Sequence, residues 1–236
     1  MRFEPFVISP PFGNYLRLPF ANSVVGSFTN KARPGWWGRA FKTLRRHGDG
    51  FVNEIGLRNP GIEAGVRSHR SRTIVSVAKI HENDLDDMLE HLYLASAVEI
   101  NAGCRNVNGA EVTRRDLKLY KDFLCFTPII LKLPAKGAEP LIDMALEVGI
   151  DHFHACNTIP TGRGSLSGPE LQKYSLPMIE RIRRLAPDST IIGGGGIYEW
   201  ADVRRYRFVG ADICSLSTIC LQPVRFAKLL AKIAME

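Results

Sequence analysis

From about residue 72 to the C-terminus, short runs rich in β-branched residues alternate with longer segments whose apolar positions recur at helical spacing. This alternation restricts the fold more than any other feature. Strands that alternate with helices predict βαβ units and a parallel sheet. The strand runs are Thr73 to Ala78, Ala97 to Asn101, Pro128 to Leu133, His152 to Cys156, Thr190 to Gly193 and Ile213 to Ser217. Helical periods cover Asp84 to Leu94, Thr113 to Phe123, Ala138 to Val148, Tyr174 to Leu185, Trp200 to Phe208 and Val224 to Met235. Two upstream runs, Phe6 to Ser9 and Ser23 to Thr29, raise the strands to eight. That number closes a parallel (β/α)8 TIM barrel of the α/β class, with residues 1–236 as one domain. The link from Pro10 to Asn22 is too short and proline-rich for a crossover helix, so a reduced first β/α unit is expected. Lys31 to Arg72, studded with glycines, reads as a long loop with one short helix around Trp37 to Arg45, and such loops often carry function.

A barrel of this kind forms its active site at the C-terminal ends of its strands. The residues that follow the apolar runs are amides, a thiol, a lysine, hydroxyls and glycines: Asn53, Asn101, Cys104, Asn106, Lys132, Asn157, Thr158, Gly195, Gly196 and Thr218. Gly193 to Gly196 follow a strand and precede a helix, so free backbone N–H groups there can meet a phosphate with no Cβ in the way. Tyr198 stands where GxGxxG needs its last glycine, which points to a mononucleotide rather than a dinucleotide. A tight strand-to-helix turn without ligand is the alternative. The polar run Asn157 to Pro169 reads as a glycine-rich loop, either a plain surface connection or, with Ser217 and Thr218, a further wall of a phosphate site.

Lys132 ends a buried run, and a buried ammonium needs an acceptor such as a cofactor oxygen unless it snorkels to the rim. Cys104 adjoins Arg105, and a nearby cation lowers a thiol pKa toward that of a general base; an inert small hydrophobe is the alternative. The five cysteines show neither CxxC nor metal-ligand spacing, and their odd number argues against a disulfide framework. The formal charge of +7 is dispersed, which argues against nucleic acid and for an anionic small molecule. Met1 to Ser9 lacks the pattern of a secretory signal, and no transmembrane segment is expected, which suggests a cytoplasmic protein.

From about Ser23 to Leu230 the chain resembles the dihydroorotate dehydrogenases. The resemblance rests on Val25 to Gly35, Val52 to Gly61, Asn101 to Asn106, Leu131 to Pro134, Asn157-Thr158, Gly164 to Gly168 and the four-glycine turn, in that order and spacing. It implies flavin mononucleotide (FMN) across the barrel mouth and an orotate-like or dihydroorotate-like substrate stacked on it. The implied activity is oxidation of dihydroorotate to orotate in pyrimidine biosynthesis, or of a close dihydropyrimidine. On this resemblance the substrate amides are Asn53, Asn101, Asn106 and Asn157, with Thr158 beside them. The flavin contacts are Gly26, Ser27, Asn101, Lys132, Asn157, Ser167, Gly168, Gly195, Gly196, Ser217 and Thr218.

Cys104 falls where the soluble, class one enzymes keep their base. The chain departs from the family pattern at Arg105, where proline is usual, in a short segment from Val107 to Thr113, and in lacking a second active-site lysine, since Gly26 stands at one of its positions. These departures leave a noncatalytic flavin-binding subunit as the alternative. A homodimer or an electron-transfer partner is implied by analogy, and Trp36, Trp37 and Phe41 beside Pro10 and Pro11 either form the surface for it or fold inward.

Overall fold

In the computed structural model, which describes residues 3–67, 72–103 and 109–236, the eight expected runs pair into one closed parallel barrel. Numbering strands in chain order, its members are β1 (Phe6–Ile8), β2 (Ala21–Phe28), β5 (Thr73–Val77), β6 (Val98–Asn101), β7 (Ile129–Lys132), β8 (His152–Ala155), β11 (Thr190–Gly194) and β12 (Ile213–Leu216). Closure is made by β1, where Phe6 pairs with Cys214 on one side and Ala21 on the other. A closed barrel has no free edge, so each strand's backbone groups find partners on both sides.

The outer helices are α3 (Asp84–Met88), α4 (Arg114–Phe123), α5 (Glu139–Glu147), α6 (Gln172–Leu185), α7 (Trp200–Phe208) and α8 (Pro223–Ile233). Between β1 and β2 there is only a three-residue 3-10 turn, Phe12–Asn14, so the first unit is indeed reduced.

Two segments differ from the sequence reading. The stretch from Lys31 to Arg72 is more than a loop with one helix: it holds α1 (Trp36–Thr43), α2 (Ile62–Val66) and the hairpin β3 (Arg45–His47) and β4 (Gly50–Asn53). The run Asn157 to Pro169 is also not a loop. It forms the hairpin β9 (Ile159–Thr161) and β10 (Gly164–Ser167), and β10 pairs antiparallel with β4, giving a second sheet in the order β3-β4-β10-β9. The Asp49 carbonyl accepts hydrogen bonds from Tyr198 Oη (2.8 Å) and Gln222 Nε2 (3.0 Å), which fastens this sheet to the ends of β11 and β12.

The barrel interior is layered. Val7, Val24, Ile74, Ala97, Ile130, Ile192 and Ile213 form one packed apolar cluster. Two residues further along five of these strands, where the pleat returns a side chain to the same face, stand Ser9, Ser76, Glu99, Lys132 and Ser215. Polar side chains at that level are tolerable only if they satisfy one another or a ligand.

Outside the barrel, α4 is held by a capping box between Thr113 and Asp116, and Asp116 Oδ2 also meets Lys79 Nζ at 2.9 Å, with side-chain exposures of 1% and 2%. Replacing Asp116 by alanine removes one half of the capping box and leaves the buried Lys79 ammonium with only the exposed Glu82, at 3.4 Å, among the described residues. The expected loss is about 3–5 kcal/mol of unfolding free energy, checked by urea denaturation.

Candidate active site

At the C-terminal end of the barrel lies a cavity of about 690 Å³, within the usual size of ligand pockets. Strand ends deliver its polar lining: Gly26 and Ser27 from β2, Asn101 from β6, Lys132 from β7, Asn157 and Thr158 after β8. Gly195 and Gly196 follow β11, Ser217 and Thr218 follow β12, and the second sheet adds Asn53 and Ser167. These expected residues are thus brought together. Gly168 is not among the lining residues; it abuts Gly50 of β4 and opens the turn Pro169–Leu171. Cys104 and Asn106 lie outside the described residues.

The site is organised around a residue the sequence reading missed. Glu99 on β6 is fully buried, and its Oε2 accepts from His154 Nδ1 (2.6 Å) while its Oε1 accepts from Ser76 Oγ (2.7 Å). Burial alone would raise its pKa, but the Lys132 charge and the hydrogen bonds from His154 and Ser76 outweigh that and hold it at about 2. For His154, burial and the Lys132 charge outweigh the Glu99 contact and push the imidazole below its ordinary value. The pair is therefore carboxylate and neutral imidazole, with the proton on Nδ1.

From Glu99 a chain of hydrogen bonds runs to the cavity. Ser76 gives its proton to Glu99, so Ser27 must donate to Ser76 (2.8 Å), and Asn101 Nδ2 donates to Ser27 Oγ (2.8 Å). Asn157 Nδ2 donates in turn to Asn101 Oδ1 (2.8 Å). Both amides are also fixed by backbone: Gly103 N–H donates to Asn101 Oδ1 and Thr158 N–H to Asn157 Oδ1.

Three groups at the cavity have no hydrogen-bond partner among the described residues. Lys132 Nζ stands 3.9 Å from Glu99 Oε1, beyond hydrogen-bond reach, on a side chain only 10% exposed. The backbone N–H groups of Gly195 and Gly196, at φ +105° and +79°, donate to no acceptor among the described residues. A Cβ on Gly196 would lie 2.4 Å from Pro169 Cα, so the turn itself requires glycine there.

Other expected donors are engaged. Ser167 Oγ donates to the Phe51 carbonyl, Ser217 Oγ to that of Pro10, and both backbone polar groups of Gly26 are taken by the Asn14 amide. Cys156 also lines the cavity, but burial first of all pushes its thiol up to about 12, which keeps it protonated at neutral pH. Glu99 and His154 had a readable signal: each is an ionisable residue within an apolar strand run, the argument that singles out Lys132. Among the described residues no group of three or more metal-binding side chains is assembled.

Residues 12–235 match the family model described as dihydroorotate dehydrogenase. The chain belongs to the dihydroorotate dehydrogenase family. It is therefore an oxidoreductase by family. Two similar proteins are dihydroorotate dehydrogenase B (NAD(+)) catalytic subunits, from Exiguobacterium sibiricum (27% identity, covering 88% of this chain and 78% of the relative) and Petrotoga mobilis (29%, covering 72% and 67%). Among solved structures, a ligand-free dihydroorotate dehydrogenase from Eimeria tenella superposes with a TM-score of 0.77 at 17% identity, covering 95% of this chain and 82% of that one, which supports the fold.

The buried pair makes stability depend on pH. The unfolded chain protonates His154 below about pH 6.5 while the folded protein keeps it neutral, so stability falls as pH drops through that value. Glu99 adds a second loss between pH 4.5 and about 2, where only the unfolded state takes the proton. Urea unfolding at stepped pH should show the first decline beginning near 6.5; a flat curve from pH 8 to 5 would contradict a neutral buried His154.

Proposed function

We propose that the chain binds FMN noncovalently at the barrel mouth and oxidises dihydroorotate to orotate. The observation that carries this reading is the buried Lys132 ammonium, without a hydrogen-bond partner, in one cavity with two unpaired glycine N–H groups. Such a set demands an electron-rich ligand bearing an anion. FMN fits it: Lys132 would face the ring system, while Gly195, Gly196 and the start of the turn at Thr218 would hold the phosphate. Because the Ser167 and Ser217 hydroxyls already donate to carbonyls, the phosphate is met mainly by backbone N–H groups. When bound, FMN supplies the hydride acceptor.

The protein's own part is to orient and to move a proton. Asn53, Asn101 and Asn157 present amides to a planar imide edge, with Asn106 and Thr158 completing the grip. Cys104 takes the proton from the substrate's C5, a role drawn from the family resemblance and left to it by Cys156, whose thiol stays protonated. Among the described residues no helix is long and apolar enough to cross a membrane, and the described cysteines are free, which supports placing the protein in the cytoplasm.

The purified protein is expected to carry FMN. Replacing Cys104 by alanine should leave flavin bound but abolish its reduction by dihydroorotate at neutral pH, followed by anaerobic absorbance. A protein that takes up no FMN after reconstitution would sink the reading. Bound FMN reduced by no member of a dihydropyrimidine panel would instead favour the noncatalytic subunit, a reading supported by Gly26 standing where a second lysine is expected.

We further infer a partner at the cavity rim. Trp37 and Phe41 are 71% and 89% exposed, and the rings of Tyr15, Trp36 and Trp37 touch one another there, rather than folding inward. An electron-transfer subunit is the favoured occupant, because the bacterial relatives are catalytic subunits; a second copy is the alternative. Light scattering at several concentrations, against a Trp36→Ser, Trp37→Ser variant, separates them: concentration-dependent mass lost in the variant means self-association.

A further inference from the structure

Glu99 lines no part of the cavity, yet three groups that do, Asn101, His154 and Lys132, depend on it. Its carboxylate is the terminal acceptor of a hydrogen-bond chain that has one permitted direction. Asn157 donates to Asn101, Asn101 to Ser27, Ser27 to Ser76, and Ser76 to Glu99.

We propose that Glu99 is a positioning residue of this site: its carboxylate fixes which way the Asn101 and Asn157 amides face, which nitrogen of His154 carries the proton, and where the Lys132 charge is held. In its ligand-bound measurements this rests on the reading that the cavity takes FMN and a dihydropyrimidine; its effect on His154 does not.

The reasoning can be followed through Glu99→Gln, which keeps the shape and turns one oxygen into a donor. If the new NH₂ faces Ser76, that hydroxyl loses its acceptor, and its proton must either stay unpaired in a buried site or turn to Ser27, which turns the Ser27 proton toward Asn101. Asn101 has no acceptor there unless its amide rotates, and rotation sets its NH₂ against the Gly103 N–H that now donates to its oxygen. If the NH₂ faces His154 instead, the imidazole must move its proton to Nε2, which changes that nitrogen from acceptor to donor. In either orientation Lys132 loses the carboxylate 3.9 Å away. An uncompensated cation in a buried site favours the more negative, reduced flavin.

Three proteins are compared: parent, Glu99→Gln and Ser76→Ala. In the cofactor-free proteins, long-range ¹H–¹⁵N NMR reads the His154 tautomer, assigned with a His154→Asn variant. In the FMN-loaded proteins, the flavin midpoint potential and the orotate dissociation constant are measured by absorbance titration. Glu99→Gln should alter the His154 signature or weaken orotate binding by about tenfold, and should raise the potential. Ser76→Ala, which cuts the chain but keeps the carboxylate, should weaken orotate binding and leave tautomer and potential as in the parent. A folded Glu99→Gln protein with parental tautomer, potential and orotate affinity overturns the proposal. If Glu99→Gln does not fold, parental orotate affinity in Ser76→Ala overturns it. A parent that binds no FMN defeats the FMN reading, and the His154 tautomer together with the Asn101 and Asn157 side-chain amide signals of the cofactor-free Glu99→Gln protein then decides the proposal: all three as in the parent overturns it.

Discussion

A carboxylate inside a closed barrel, with no water to solvate it, must be neutralised by its neighbours or give up its charge. Glu99 keeps its charge because Lys132, His154 and Ser76 converge on it from β7, β8 and β5. The strand pairing makes this possible. Register sets Glu99 beside Ser76 on one side and Ile130 on the other, and Lys132 beside His154, so the four side chains share one end of the barrel. A shift of one residue in any of these strands would turn its polar side chain out against the helices and bring an apolar one in. The apolar layer beneath, from Val7 to Ile213, supplies the cohesion, which leaves the upper level free to be polar.

The second sheet is the other constraint on the site. Antiparallel pairing of β4 with β10 ties the segment after β2 to the segment after β8, and the pairs Asn53–Ser165 and Phe51–Ser167 set Asn53 and Ser167 in register at the cavity wall. Neither hairpin would be stable alone in water. Joined, they make a four-stranded layer, held at the far side by Tyr198 and Gln222 on the Asp49 carbonyl. The same contacts explain Gly50 and Gly168, whose backbones approach so closely that a Cβ on Gly168 would lie 2.5 Å from Gly50 Cα.

Six of the barrel strands were legible because each is a short apolar run followed by a helical period long enough to register, whereas β1 and β2 were legible from their apolar runs alone. Trp200–Phe208 is read to the residue and the other outer helices to within two, except that α3 ends at Met88, six residues before the Leu94 expected, and gives way to a 3-10 turn. The second sheet was not, for a physical reason. β3 is Arg45-Arg46-His47 and fully exposed, while β9 and β10 are short, polar and joined by Gly162 and Arg163, so neither shows the alternation of a half-buried strand. The strand-end residues of the site were legible from the barrel rule. Glu99 and His154 were passed over because they precede the strand ends; Glu99 serves its neighbours without lining the cavity, while His154 reaches the lining from within β8. Sequence alone also cannot say that Ser167 and Ser217 have given their protons to carbonyls.

Charge gives the last step. Lys132 is balanced by Glu99, and His154 is neutral, so the floor of the cavity carries no net charge toward a ligand. An anionic ligand therefore has to be met elsewhere. Among the described residues Arg58 is the other cationic side chain lining the cavity; its Nη1 donates to the Pro34 carbonyl, which leaves most of its donors uncommitted. Gly195, Gly196 and the turn beginning at Thr218 add backbone N–H groups at the opposite strand ends. Under the proposed FMN reading the site separates its tasks in space: N–H groups for a phosphate at β11 and β12, a guanidinium from the segment after β4, and between them a neutral polar floor whose amides are hydrogen-bonded toward a buried carboxylate. That division makes orientation of the ring, rather than attraction of its charge, the work of the barrel interior.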